Sequence, residues 1–153
     1  MGYQHIFLRA SFAHVCGDSI IAAIAGLALY ASFPPVGWWW LSVPAFALFV
    51  SRIDEARAPR ALTVTFVFGM SFWVPLIDWI PLAVGTTPPW FVLALVQTFF
   101  FMGWVVFARW TQLWRWARGP LVQAFLFALT WAGVDAARSR WPWSGFPWGS
   151  VAL

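Results

Sequence analysis

Charge is scarce in this 153-residue chain: 9% of its residues are acidic or basic, and lysine is missing altogether. Soluble domains carry about 25% charged residues, so a soluble globular fold is excluded. A single cysteine, Cys16, rules out an intrachain disulfide. Phe12-Ala-His-Val15 before it lacks the small residues that precede a lipid-modified cysteine. Cys16 therefore reads as a small packed residue near the start of the first helix, with no credible base to make it a nucleophile. No His, Cys, Asp and Glu fall at metal-ligand spacing, and His5 and His14 lie near the N-terminus. A phosphate-binding glycine loop and a Ser/His/Asp arrangement are also missing. No catalytic residue, metal site or cofactor site is therefore expected within these residues. The N-terminus shows no small-x-small cleavage pattern, so its apolar run reads as a retained span and not a signal peptide.

What fills the chain instead is apolar: 62% of it is hydrophobic, with 14 Trp and 16 Phe. That composition predicts an all-α integral membrane protein, because spanning segments must satisfy every backbone polar group internally. The net charge of +4 is carried by arginine. In a soluble chain such a balance would suggest nucleic acid. Here the arginines separate apolar runs, so membrane orientation explains them and no nucleic-acid partner is expected.

Residues 19–50 carry no charge. One helix of that length would reach about 48 Å, against a ~30 Å hydrocarbon core. Pro34-Pro35-Val36-Gly37 divides the run, because proline removes amide donors and favours a turn. About five spans follow, near 14–33, 37–51, 61–80, 90–108 and 120–137, all in one membrane domain covering 1–153. Asp18 reads as a solvated helix-end acid. Gly69, Met70 and Ser71 read as helix-packing positions, and Gln97 with Thr98 as a polar pair inside the fourth span. Arg9, Arg52, Arg57, Arg60, Arg109, Arg115 and Arg118 fall on one side, with Arg138 and Arg140 on the other. This positive-inside bias predicts a cytoplasmic N-terminus and a periplasmic C-terminus. The turns at Pro34-Pro35, Pro88-Pro89 and Pro142 are evenly spaced, which hairpins of equal length in an aromatic belt explain without an internal repeat.

Asp135 and Arg138 stand three apart and share a helical face. One reading is an ion pair that fixes the end of the fifth helix. The other is a guanidinium facing lipid phosphate at the outer leaflet. Both are compatible with the five donors of arginine. Asp78 and Trp79 fall at the same membrane level, where the acid would orient Arg138 or Arg140 or cap a helix, and Trp79 would anchor at the interface. In the loop 139–149, Gly145 allows unusual backbone angles and Pro147 fixes φ, so Phe146 and Trp148 are expected in a defined pose.

Trp131-Ala-Gly-Val-Asp135-Ala-Ala-Arg138, followed by Trp143-Ser-Gly-Phe-Pro-Trp148-Gly149, resembles the acid-x-x-Arg and Thr-Gly-Phe-Pro-Trp segment of apolipoprotein N-acyltransferases. Phe33-Pro-Pro-Val-Gly-Trp-Trp39 is similar to that family's first periplasmic turn, and Gly69-Met-Ser-Phe-Trp73 through Asp78-Trp79 to its third helix. Asp135 and Ser144 depart from the family's usual Glu and Thr but keep the chemical type. The resemblance implies a bacterial inner-membrane enzyme that moves an acyl chain from phospholipid to the diacylglyceryl-modified N-terminal cysteine of an apolipoprotein. It also implies a nitrilase-like periplasmic domain with a Glu-Lys-Cys triad. With no lysine, and with Cys16 at the opposite membrane face, that triad has no counterpart here. The chain is thus expected to be the N-terminal membrane portion, inactive alone, with Gly145, Phe146, Pro147, Trp148 and Arg138 bordering a lipid entrance and Asp135, Asp78 and Trp79 supporting it. The other reading is a non-catalytic membrane module that holds lipid or anchors a partner protein.

Overall fold

A computed structural model describes residues 2–54, 56–114, 119–141 and 145–149, with side chains from residue 15 onward. All regular structure among these residues is helical: α1 (Gly2–Ala31), a 3-10 turn (Trp39–Leu41), α2 (Ser42–Asp54), α3 (Ala58–Leu76), α4 (Ile80–Val84), α5 (Pro88–Thr111) and α6 (Pro120–Arg138). The chain forms two compact units, Met1–Asp78 and Trp79–Leu153.

In the first unit α1 packs chiefly on α3, and α2 packs on both. α1 extends well before residue 14, because no proline interrupts residues 2–31 and apolarity is not a condition for helix formation. It stops ahead of the cis-linked Pro34-Pro35 pair, after which Gly37 takes a φ of 72° and donates its amide to Phe33 O at 2.9 Å. Ala22, Ala25 and Leu29 bury one stripe of α1. Gly26 lies beside that stripe, where a Cβ would meet the carbonyl oxygen of Phe68 and, at 2.9 Å, Cβ of Ser71. Small residues are what allow two helices this close. Phe49 of α2 stacks on Phe68 of α3 with ring centroids 4.0 Å apart.

Asp18 is not solvated. It is buried, accepts a hydrogen bond from Nε of Arg60, is ion-paired with Nη2 of the same residue, and lies 4.0 Å from Nη1 of Arg52. An apolar neighbourhood makes an unpaired carboxylate costly, so α2 and α3 each bring it a cation. α3 ends at Leu76 and not at Ile80: Pro75 removes one ladder donor in its last turn, and residues 77–79 turn before α4 begins with Pro81 in its first turn.

In the second unit Gly85, at φ 78°, closes the single turn of α4, and Pro88 and Pro89 open α5 where their missing amides cost nothing. α5 and α6 pack as an antiparallel pair through rings: Phe101 meets Trp131 at 5.2 Å and Trp104 meets Phe127 at 4.6 Å. Trp104 Nε1 donates to Thr130 Oγ1 at 3.1 Å. Polar side chains are inside, with Gln97, Thr98, Thr130, Asp135 and Arg138 buried, while Leu82, Phe99, Leu121, Phe125 and Leu129 are exposed. These polar side chains share the interior with Phe101, Trp104, Val105 and Leu126, while a broad apolar surface faces outward. α5 and α6 are the two helices, among the described residues, long and apolar enough to cross a membrane; the apolar part of α1, Val15–Ala31, is shorter. Their apolar windows are 39% and 17% buried, whereas the core helix of a soluble protein would be mostly buried. The 13 residues of α2 rise only about 20 Å, short of a full span.

Candidate functional site

The end of α6 and the turn 145–149 form one hydrogen-bonded unit. Its centre is Arg138, whose side chain is 1% exposed. The three-residue spacing places it over Asp135, and Nε and Nη2 both donate to Asp135 Oδ1, at 2.8 and 2.5 Å. Nη1 donates to the carbonyl oxygens of Phe146 at 3.0 Å and Trp148 at 3.1 Å. The guanidinium thus engages protein oxygens on both edges and is turned away from the surface. It ties the turn to the helix.

The backbone completes the latch. Ser139, at the helix C-cap, donates its amide at 3.1 Å and its hydroxyl at 2.7 Å to Asp135 O. Phe146 N donates to Arg138 O at 2.9 Å. Gly145 sits at φ 78° against the helix end, where a Cβ would collide with the carbonyl of Ser139 and the amide of Arg140. Both its conformation and its lack of a side chain are required there.

Held this way, Pro147 and Trp148 are exposed and Phe146 is half-buried. Trp148 meets Trp79 edge-on, with centroids 5.9 Å apart. Pro89, Val92, Leu93, Val96 and Gln97 of α5 face Gly145 and Phe146 across a cleft of about 270 Å³. The structure therefore brings Asp135, Arg138, Gly145, Phe146, Pro147, Trp148 and Trp79 together in the second unit. Asp78 ends the first unit, exposed in the turn after α3. Trp143 and Ser144 lie outside the described residues, as do Arg115 and Arg118. Cys16 is exposed on α1, and among the described residues no three His, Cys, Asp or Glu side chains are grouped to hold a metal ion. The arrangement offers an aromatic rim tied to the helix end and an apolar cleft; among the described residues it brings together no nucleophile–base pair.

Residues 25–153 match the apolipoprotein N-acyltransferase N-terminal domain. The chain belongs to that family. An apolipoprotein N-acyltransferase of Mycolicibacterium smegmatis is 37% identical over 87 residues, covering 56% of this chain and 14% of that protein. One from Azotobacter vinelandii is 25% identical over 141 residues, covering 85% of this chain and 26% of the relative. The chain thus spans about a quarter or less of these curated relatives. No solved structure matches it. The clamp and the cleft both lie inside the segment that matches the apolipoprotein N-acyltransferase domain.

Sequence reasoning missed two features. Asp18 and Arg60 are 42 positions apart, and no local spacing announces that pair. Gln97 is legible as a glutamine in an apolar helix, but its place in one cleft with Gly145 and Phe146 depends on the chain path.

Proposed function

We propose that this chain is the multi-pass membrane part of an apolipoprotein N-acyltransferase in a bacterial inner membrane. In this reading it crosses five times, with a cytoplasmic N-terminus and the turn 139–149 on the periplasmic side. The arginine distribution supports that orientation, and the outward apolar surface of α5 and α6 supports a lipid environment. The 3-10 turn and α2 together rise about 25 Å, a short span that local bilayer thinning accommodates.

The donor would be a phospholipid and the acceptor the α-amino group of a diacylglyceryl-modified cysteine. The 153 residues include no lysine, so Glu-Lys-Cys chemistry requires residues outside them, and this chain transfers no acyl group by itself. Its part is to shape the path of the lipid. The observation that carries this reading is the buried Arg138 clamp on the carbonyls of Phe146 and Trp148, which fixes an exposed aromatic rim at the end of α6. A rim that only marked a membrane boundary would not need such fixing.

The test is a chimera in which this chain replaces the corresponding membrane segment of the Mycolicibacterium smegmatis relative, assayed for lipoprotein N-acylation in membranes lacking the native enzyme. Activity is expected. Trp148→Ala should lower kcat/KM for phospholipid by about tenfold, the equivalent of roughly 1.4 kcal/mol of lost aromatic contact. A folded but inactive chimera would sink the proposal and leave a non-catalytic membrane module.

A further inference from the structure

One buried polar atom in the second unit lacks a partner. The side chain of Gln97 is almost wholly buried, and its oxygen Oε1 accepts no hydrogen bond. The adjacent Thr98 shows the ordinary solution, donating its hydroxyl to Ala94 O at 2.8 Å. A carboxamide oxygen is purely an acceptor. Left unmet, it costs the fold its full desolvation, and a hydrocarbon surrounding supplies no water in compensation.

Gln97 is not sealed in a core. It lines the cleft of about 270 Å³ together with Val92, Leu93, Val96 and Phe146. Apart from this amide, the side chains around the cleft are apolar. The terminal torsion of glutamine is broad, so the carboxamide turns toward the cleft without leaving a favourable rotamer. As a neutral group it provides an acceptor without placing a charge in the membrane.

We propose that the cleft binds an acyl-chain amphiphile at its interfacial region, and that Gln97 is a positioning residue whose oxygen accepts a hydrogen bond from an N–H or O–H group of that lipid. This rests on the reading of the chain as a lipid-handling membrane part. The apolar walls take the chain segment, and the amide selects for a donor beside it. The ammonium of phosphatidylethanolamine, the hydroxyls of phosphatidylglycerol and the amide N–H of a diacylated lipopeptide all carry that donor. Phosphatidylcholine, with a quaternary ammonium, does not.

The experiment places the full chain in nanodiscs of phosphatidylethanolamine and phosphatidylcholine with identical acyl chains, and counts retained lipid by native mass spectrometry. Parallel arms replace phosphatidylethanolamine with phosphatidylglycerol or with a diacylated lipopeptide, and the arm most enriched identifies the source of the donor. The chain should retain the donor-bearing lipid over phosphatidylcholine by about tenfold, the worth of one hydrogen bond. Gln97→Met, close in size but without the amide, should retain both alike. Val96→Trp, which fills the cleft and leaves the amide, should lose both. Equal retention by the unmodified chain, a preference that survives Gln97→Met, or undiminished binding by Val96→Trp would each overturn the assignment. No acyl transfer enters the readout. An inactive chimera therefore sinks the acyltransferase reading without touching the lipid ratio, and a flat ratio sinks the role of Gln97 alone.

Discussion

Arg138→Met separates the two jobs of the clamp. The substitution keeps most of the side-chain volume but removes the donors to Asp135 Oδ1 and to the carbonyls of Phe146 and Trp148. Breaking a buried ion pair by deleting one partner costs about 3–5 kcal/mol, because the remaining charge is stranded. The two carbonyl bonds come from a charged donor, and their loss from the turn alone is worth about 1.5–3 kcal/mol each before non-additivity. The double variant Asp135→Leu with Arg138→Met strands no charge, so it should lose only the ties to the turn. Thermal unfolding in detergent should therefore place Arg138→Met below the double variant. Amide exchange at Phe146, whose N–H is bonded to Arg138 O, should speed up in both. A local loss of about 3 kcal/mol corresponds to roughly a hundredfold faster exchange. If exchange at Phe146 is unchanged in Arg138→Met, Arg138 does not hold the turn. If the double variant is as unstable as the single one, the stranded charge is not what costs.

Three further outcomes are expected. Gly145→Ala should destabilise by more than the ~1–2 kcal/mol of a left-handed backbone angle, because its Cβ also meets the backbone of Ser139 and Arg140; a lowered unfolding temperature checks this. Gly26→Ala should loosen the contact of α1 with α3 and lower the unfolding temperature, whereas Gly17→Ala, with nothing within 4 Å of its Cβ, should be neutral or raise it by a helix-propensity gain of up to ~1 kcal/mol. Arg60→Ala should cost more than Asp18→Asn, since it leaves a buried carboxylate facing only Arg52 at 4.0 Å, while the half-exposed arginines tolerate loss of the acid; equal unfolding temperatures would contradict this.

Much of this protein is decided by short-range chemistry that can be read along the chain. The scarcity of charge and the long apolar runs dictate helices, because a helix satisfies its own backbone. The breaks fall at Pro34-Pro35, Gly85 and Pro88-Pro89 for reasons internal to those residues. Asp135 and Arg138 share a face because the helix repeats every 3.6 residues. Gly145 announces a backbone angle that other residues resist, and the Gly-Phe-Pro-Trp order carries the resemblance to the family. Tertiary structure alone decided what those residues meet. The three-residue spacing permits the ion pair but does not reveal that Nη1 reaches Phe146 and Trp148, since that depends on the turn folding back over the helix end. Asp18 looks solvated until α3 delivers Arg60 to it. Gln97 looks like one polar residue in a greasy helix until its oxygen is found buried and unpaired in a residue that lines a cleft. The physical division is one of range: periodicity and backbone stereochemistry are local, whereas burial and hydrogen-bond satisfaction depend on which distant segment arrives.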